Sequence, residues 1–188
     1  MFDKNLGMKW LFLFLLAATA LRAQEKTGNF KCENGVIRFR SEAPLETIEA
    51  KSIKLRGLVN VTDRTFAWVL RVNTFEGFNS GLQGDHFKEN YLETDRYPTA
   101  IFQGKIIEEA DFSTPQKITL RAKGKLTIHG IEQERIIKVT LDIQPQSISV
   151  QSHFSVLLSD HNINIPRIVH QKIAEEVQVI VEARLIPD

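Results

Sequence analysis

Three sets of residues in this sequence are of types that could do chemistry: five histidines, a Ser-Asp-His run, and a series of large apolar side chains at alternate positions. Histidine serves as a metal ligand or an acid/base group. His86, His129, His153, His161 and His170 contain no His-Glu-x-x-His motif and no His-x-His pair, so no metal spacing marks them. His161 and His170 flank the segment Asn162 to Pro166, and His86 is distant in sequence, which leaves a three-histidine site open but unsupported. Ser159-Asp160-His161 supplies the residue types of a hydrolytic triad. Neighbours on a strand point to opposite faces, however, so the run cannot form a triad by itself. No Gly-x-Ser-x-Gly elbow and no glycine-rich phosphate loop occurs, so neither a nucleophile nor a cofactor is expected.

The apolar series carries a different chemistry. Phe66, Trp68, Leu70, Val72, Phe102, Leu126, Ile128, Phe154 and Val156 share the inward parity of their segments. Such a surface binds a long apolar molecule through area alone, at about 25 cal/mol per Å² removed from water. Phe75, Phe78, Phe87 and Tyr91 fall near segment ends, where they line a mouth or plug it. His86 sits among them, either anchoring a helix or meeting a ligand headgroup.

The elements that position these residues read at period two. Ile118, Leu120, Ala122, Gly124, Leu126 and Ile128 share one parity, with Thr119, Arg121, Lys123, Lys125 and Thr127 on the other. The same alternation recurs through the chain, more weakly at Ile37 and Phe39 and at Ile53, Leu55, Val59 and Val61. It predicts about eight strands, over 35–41, 51–61, 64–75, 99–107, 116–128, 134–143, 146–158 and 175–186. Short polar links at Thr62-Asp63, Gly130 to Gln133 and Gln144 to Gln146 imply antiparallel neighbours. Asp85 to Thr94 and Ile168 to Glu176 read as short helices. An eight-stranded barrel can hold one small ligand, and a sandwich would use the same pattern.

Residues 1–23 stand apart. Lys4 and Lys9 precede an apolar run from Trp10 to Leu16, and small residues follow at Ala18, Ala20 and Ala23. This pattern reads as a secretory signal peptide, with cleavage expected after Ala23 or, as the alternative, after Ala20; the competing reading is a retained membrane anchor. Residues 24–188 then form one domain, exported to the periplasm or secreted. Of the 24 basic and 23 acidic residues, the leader takes three and one. The near-zero balance left behind argues against a nucleic-acid partner. The basic stripe Arg121, Lys123 and Lys125 is a solvated face or a transient contact with a membrane surface. The single thiol, Cys32, excludes an intrachain disulfide and leaves an intermolecular one open, as oligomers remain open.

Three stretches carry a resemblance. The run Gly84-Asp85-His86-Phe87-Lys88-Glu89-Asn90-Tyr91 leads into Tyr97-Pro98-Thr99-Ala100-Ile101-Phe102. Gly124-Lys125-Leu126-Thr127-Ile128-His129-Gly130 and Phe154-Ser155-Val156-Leu157-Leu158-Ser159-Asp160-His161 follow in order. Together they resemble the YceI-like family, over essentially all of residues 30–186. His161 departs from the pattern, which more often has an aromatic there. The resemblance implies an all-β, eight-stranded antiparallel, lipocalin-like barrel with one or two short helices, although no Gly-x-Trp opens the first strand as in true lipocalins. It also implies a binding protein, not an enzyme. The expected partner is a long-chain lipid, a polyisoprenoid or a fatty acid or amide, carried or sequestered inside the barrel. The competing readings are a secreted metal-dependent or hydrolytic enzyme using His86 or His161, and a filled structural barrel without ligand.

Overall fold

The computed structural model describes residues 28–188, so the segment read as a leader lies outside the described residues. Eight antiparallel strands follow one another around a closed barrel: β1 Asn29–Glu42, β2 Thr47–Asn60, β3 Thr65–Arg71, β4 Thr99–Ile106, β5 Gln116–Ile128, β6 Ile131–Gln144, β7 Ser147–Leu157 and β8 Glu176–Pro187. Each strand pairs with its sequence neighbour, and β1 pairs with β8 to close the sheet. The eight expected strands are all present, and the barrel rather than the sandwich is the architecture.

Strict up-and-down order places the connections alternately at two ends. Residues 43–46, 72–98, 129–130 and 158–175 gather at one end, called here the mouth. Residues 61–64, 107–115 and 145–146 gather at the other, called the base, together with the start of β1 and the end of β8.

The first two strands depart from simple alternation. Cys32 pairs with Gly57, Gly35 with Leu55 and Ile37 with Ser52. β1 therefore carries one extra residue before Gly35, and β2 carries one after it. The paired bulges cancel in register but switch parity in each strand. Cys32 and Gly35 both face inward, as do Ser52 and Leu55. This corrects Ile53, expected inside; it is 53% exposed, on the outer wall. It also explains why β1 is legible only from residue 35, since parity reverses ahead of that point.

Turn chemistry is local and readable. The β5–β6 connection is the two-residue turn His129-Gly130, with φ of 51° and 74°. Positive φ at both positions is the type I′ geometry that suits the twist of a hairpin. His129 is half-buried in this turn.

The two expected helices fare differently. α1 spans Gly81–His86 and continues as one π-helical turn over Phe87–Tyr91, beginning earlier than expected. Ser80 caps it by accepting a hydrogen bond from the Gln83 amide at 3.2 Å, and Gln83 Oε1 accepts from the Asn79 amide at 3.0 Å. This reciprocal Ser-x-x-Gln arrangement is close to a capping box. The helix expected over 168–176 is absent. Only a 3₁₀ turn, Arg167–Val169, and further turns occupy it before β8. A single short run of apolar residues with no cap or terminator was too little to nucleate a helix.

Candidate functional site: an apolar chamber in two parts

The barrel axis holds two cavities, one of about 490 Å³ toward the mouth and one of about 130 Å³ toward the base. They meet at a neck lined on both sides by Ile37, Leu70, Ala100, Leu126 and Phe154. The barrel is thus open inside rather than filled.

The inner chamber is built by the middle of the strands. Phe66, Trp68 and Phe102 form one wall, with Phe66 and Phe102 at 4.9 Å between ring centres. The Trp68 ring lies over Gly57, its cross-strand partner; any side chain at Gly57 would overlap that ring. Gly104 and Gly124 face each other across β4 and β5, and a Cβ on either would strike the opposite backbone. These glycines let the sheet bend tightly at this point. Below the chamber, Leu120, Leu141, Ile143, Ile148 and Leu185 pack as a solid floor, with Phe112 from the β4–β5 connection against it.

The outer chamber is built largely by connections. Phe39, Phe75, Phe78 and Phe87 form one aromatic cluster: Phe39 stacks on Phe87 at 5.4 Å, and Phe75 meets Phe39 edge-on at 5.1 Å. Val72, Phe75, Phe78, His86, Phe87 and Tyr91 line this chamber from the β3–β4 connection. Ile128 and Val156 line it from strand ends, while Leu158, Ile163, Val169 and Ile173 come from the β7–β8 connection. Burial against apolar neighbours pushes the Tyr91 phenol up, keeping it neutral. Polar groups stand only toward the opening: Ser41, Glu46, Ser80, Gln83, His86 and Lys172. Glu46 accepts from Gln83 Nε2 at 2.9 Å and from Asn79 Nδ2 at 3.2 Å, which ties the β1–β2 turn to α1.

All fourteen residues expected to line a site border one chamber or the other. Phe66, Trp68 and Phe102 border the inner one alone; Leu70, Leu126 and Phe154 belong to the neck. Sequence reading missed Phe39, although its parity was inward, and missed Ala100 at the neck. It also missed Ile163, Val169 and Ile173, because the irregular 158–175 segment has no period to read.

The histidines separate into distinct environments. His129 Nδ1 donates to the His161 carbonyl at 3.1 Å, and its Nε2 meets Glu93 Oε1 at 3.0 Å. Tyr97 packs edge-on against the ring at 4.5 Å. His129 therefore fastens three mouth connections together. His161 is wholly buried; its Nδ1 donates to the Ile131 carbonyl at 3.0 Å and its Nε2 has no partner. Desolvation holds its pKa below the ordinary histidine value. A flat ring with one donor is what this position uses, which accounts for a histidine where the resembling pattern has an aromatic.

The catalytic alternatives find no assembled site. Ser159, Asp160 and His161 lie on a 3₁₀ turn; Asp160 turns to Arg135 at 3.7 Å while His161 turns inward, so they diverge. His86 is exposed at the outer chamber, of which His161 is not a wall residue. Among the described residues no three of His, Cys, Asp and Glu gather at metal-binding distance. Cys32 is buried with Sγ 3.9 Å from the Leu55 carbonyl, which leaves an intermolecular disulfide no access to it. The basic stripe is largely neutralised: Arg121 pairs with Glu108 and Lys125 with Glu132, each at 2.6 Å.

Comparison with known proteins agrees with this geometry. The structure is similar to BcnA from Burkholderia cenocepacia (TM-score 0.67, 16% identity, covering 80% of this chain and 95% of that one). It is similar to a polyisoprenoid-binding domain from Saccharophagus degradans implicated in plant cell wall breakdown (TM-score 0.68, 13% identity, 87% and 100% covered). A YCEI protein of Campylobacter jejuni shares the fold more loosely (TM-score 0.50, 10% identity, 67% and 75% covered). At these identities the likeness concerns the fold. No curated protein matches the sequence. The profile of the YceI-like domain matches residues 16–185, beginning inside the segment read as a leader, and the chain belongs to the YceI-like family.

Proposed function

We propose that this protein is an exported lipid-binding module that encloses one long apolar molecule of polyisoprenoid or fatty-acid type, as carrier or sequestering protein. The observation that carries this reading is the apolar chamber along the barrel axis, whose polar lining lies mainly at the opening; in the inner part Ser152 turns its Oγ to the Lys138 carbonyl. Polyisoprenoid binding by the structurally similar Saccharophagus domain supports the ligand class.

Chamber size sharpens the ligand. An apolar cavity of about 150 Å³ takes one benzene, or ~25 Å³ per carbon. On that scale the outer chamber of about 490 Å³ takes roughly 20 carbons, and the inner one of about 130 Å³ roughly five more. The ligand class is therefore a prenyl or acyl chain of about that length, its polar end beside His86 and Lys172. A much longer polyprenyl chain would leave its remainder outside.

Mass spectrometry of an organic extract of the purified native protein tests this directly. A bound chain near that size is expected. Geranylfarnesol should also shift the emission of Trp68, which borders the inner chamber and is the only tryptophan after residue 10. No extracted lipid together with unchanged emission at saturation would overturn the reading. His86→Ala should weaken binding of the alcohol more than of the parent hydrocarbon; equal loss would make His86 structural.

A further inference from the structure

The most exposed large apolar side chains of the described barrel are not scattered. Ile168 is 92% exposed, Leu45 67% and Leu82 65%, while the other exposed large apolar residues lie between 37% and 58%. Those others include wall positions such as Ile53, Leu58, Ile136 and Ile180, where single exposed residues are ordinary. The first three all belong to mouth connections. Leu45 is in the β1–β2 turn, Leu82 in α1 and Ile168 in the 3₁₀ turn before β8.

They also meet one another's segments. The Leu45 amide donates to the Gln171 carbonyl at 2.8 Å, which joins the β1–β2 turn to the 158–175 segment. Glu46 joins the same turn to α1 through Gln83. Leu82 itself borders the outer chamber, and Glu46 and Val169 beside the other two do so as well. The exposed apolar rim is thus continuous with the apolar interior.

Charge in the mouth connections is mixed with an acidic excess: Lys88, Arg96, Arg167 and Lys172 stand among Glu46, Glu76, Asp85, Glu89, Glu93, Asp95, Asp160 and Glu175. A nucleic acid or a strongly anionic surface would meet repulsion from this acidic excess. A zwitterionic bilayer matches both features, since its interface accepts apolar side chains and both signs of charge.

We propose that the mouth docks on a phospholipid bilayer, with Leu45, Leu82 and Ile168 inserted at the headgroup boundary, so that an apolar chain passes between membrane and chamber without crossing water. The reason for the passage rests on the lipid-binding function above, whereas the docking surface itself does not depend on it.

The test is co-sedimentation with phosphatidylcholine vesicles in low and high salt. Wild type should bind in both, because burial of apolar surface rather than charge drives it. Leu45→Ser with Ile168→Ser, neither of which lines the chamber, should weaken vesicle binding by about tenfold or more. The same double variant should keep the Trp68 response to geranylfarnesol. No vesicle binding by wild type, binding abolished by salt, or equal binding by the double variant would each overturn the docking proposal. Loss of the Trp68 response in wild type would instead overturn the lipid-binding reading and leave the vesicle result standing.

Discussion

The two ends of the barrel are made from one alternating sheet, yet they differ in kind. At the base, Leu120, Ile143, Ile148 and Leu185 interdigitate, and the connections there are short apart from the one that supplies Phe112. At the mouth, aromatic side chains from the long β3–β4 connection pack beside Phe39 of β1 around a cavity of about 490 Å³. Strands pack a floor because inward residues from all sides converge. Connections build a mouth because they bridge over the strand ends. Stability and binding are therefore expected to separate along one axis.

Core truncation should show this most strongly. Leu120→Ala removes contacts in a filled floor and should cost about 2–5 kcal/mol in denaturant unfolding. Phe87→Ala, beside existing empty space, should cost less than half of that. Equal losses would break the distinction between the two ends. The neck gives the next effect. Ala100→Leu should close the inner chamber, and each buried CH₂ contributes about 0.8 kcal/mol. Geranylfarnesol should then lose its affinity advantage over geranylgeraniol, one isoprene unit shorter, as read by titration calorimetry. A retained advantage would place the extra unit elsewhere.

A smaller effect concerns His161 at the mouth. Its pKa is lowered in the folded protein by burial, so the unfolded chain takes up a proton that the folded chain refuses. Stability from this group is complete above the unfolded value, about 6.5, and falls as pH drops below it, at up to about 1.4 kcal/mol per pH unit. His161→Phe should flatten this part of the stability curve below about pH 6.5; an unchanged slope would assign the acid sensitivity to other groups. Smallest is Arg38→Ala, which breaks the 2.6 Å ion pair with Glu182 across the β1–β8 seam. Both partners are exposed, so a loss of about 0.2–1 kcal/mol is expected by thermal unfolding. A larger loss would mean that the seam, rather than either end, limits stability.

The base was more legible than the mouth. Alternation in β5, β6, β7 and β8 names the floor residues directly, because a strand's parity is a property of the local chain. It fails at Ile53, where a bulge in one strand answers a bulge in its partner, a pairing that neither strand reveals alone. It fails again over 158–175, whose turns are held by contacts such as Ala174 N–H to Ser41 Oγ at 2.9 Å across the barrel end. Nine of the fourteen expected lining positions were readable as directions; the other five, in the β3–β4 connection, were readable only by their place near segment ends. The empty volume between them was not, since it depends on Gly57, Gly104 and the span of the connections.

Closure of the sheet has a consequence for the order of events in folding. Phe30 lies opposite Pro187, and the Asp188 amide reaches the Asn29 carbonyl at 3.1 Å. The seam therefore joins the first-made strand to the last. Every other strand pair joins neighbours in sequence and can form while the chain emerges, but the ring stays unsealed until β8 arrives. Such a long-range pairing forms late and slowly. Until then β1 is a free edge and the interior is open along its length. A ligand present during that interval could be enclosed as the ring seals, without passing through the mouth.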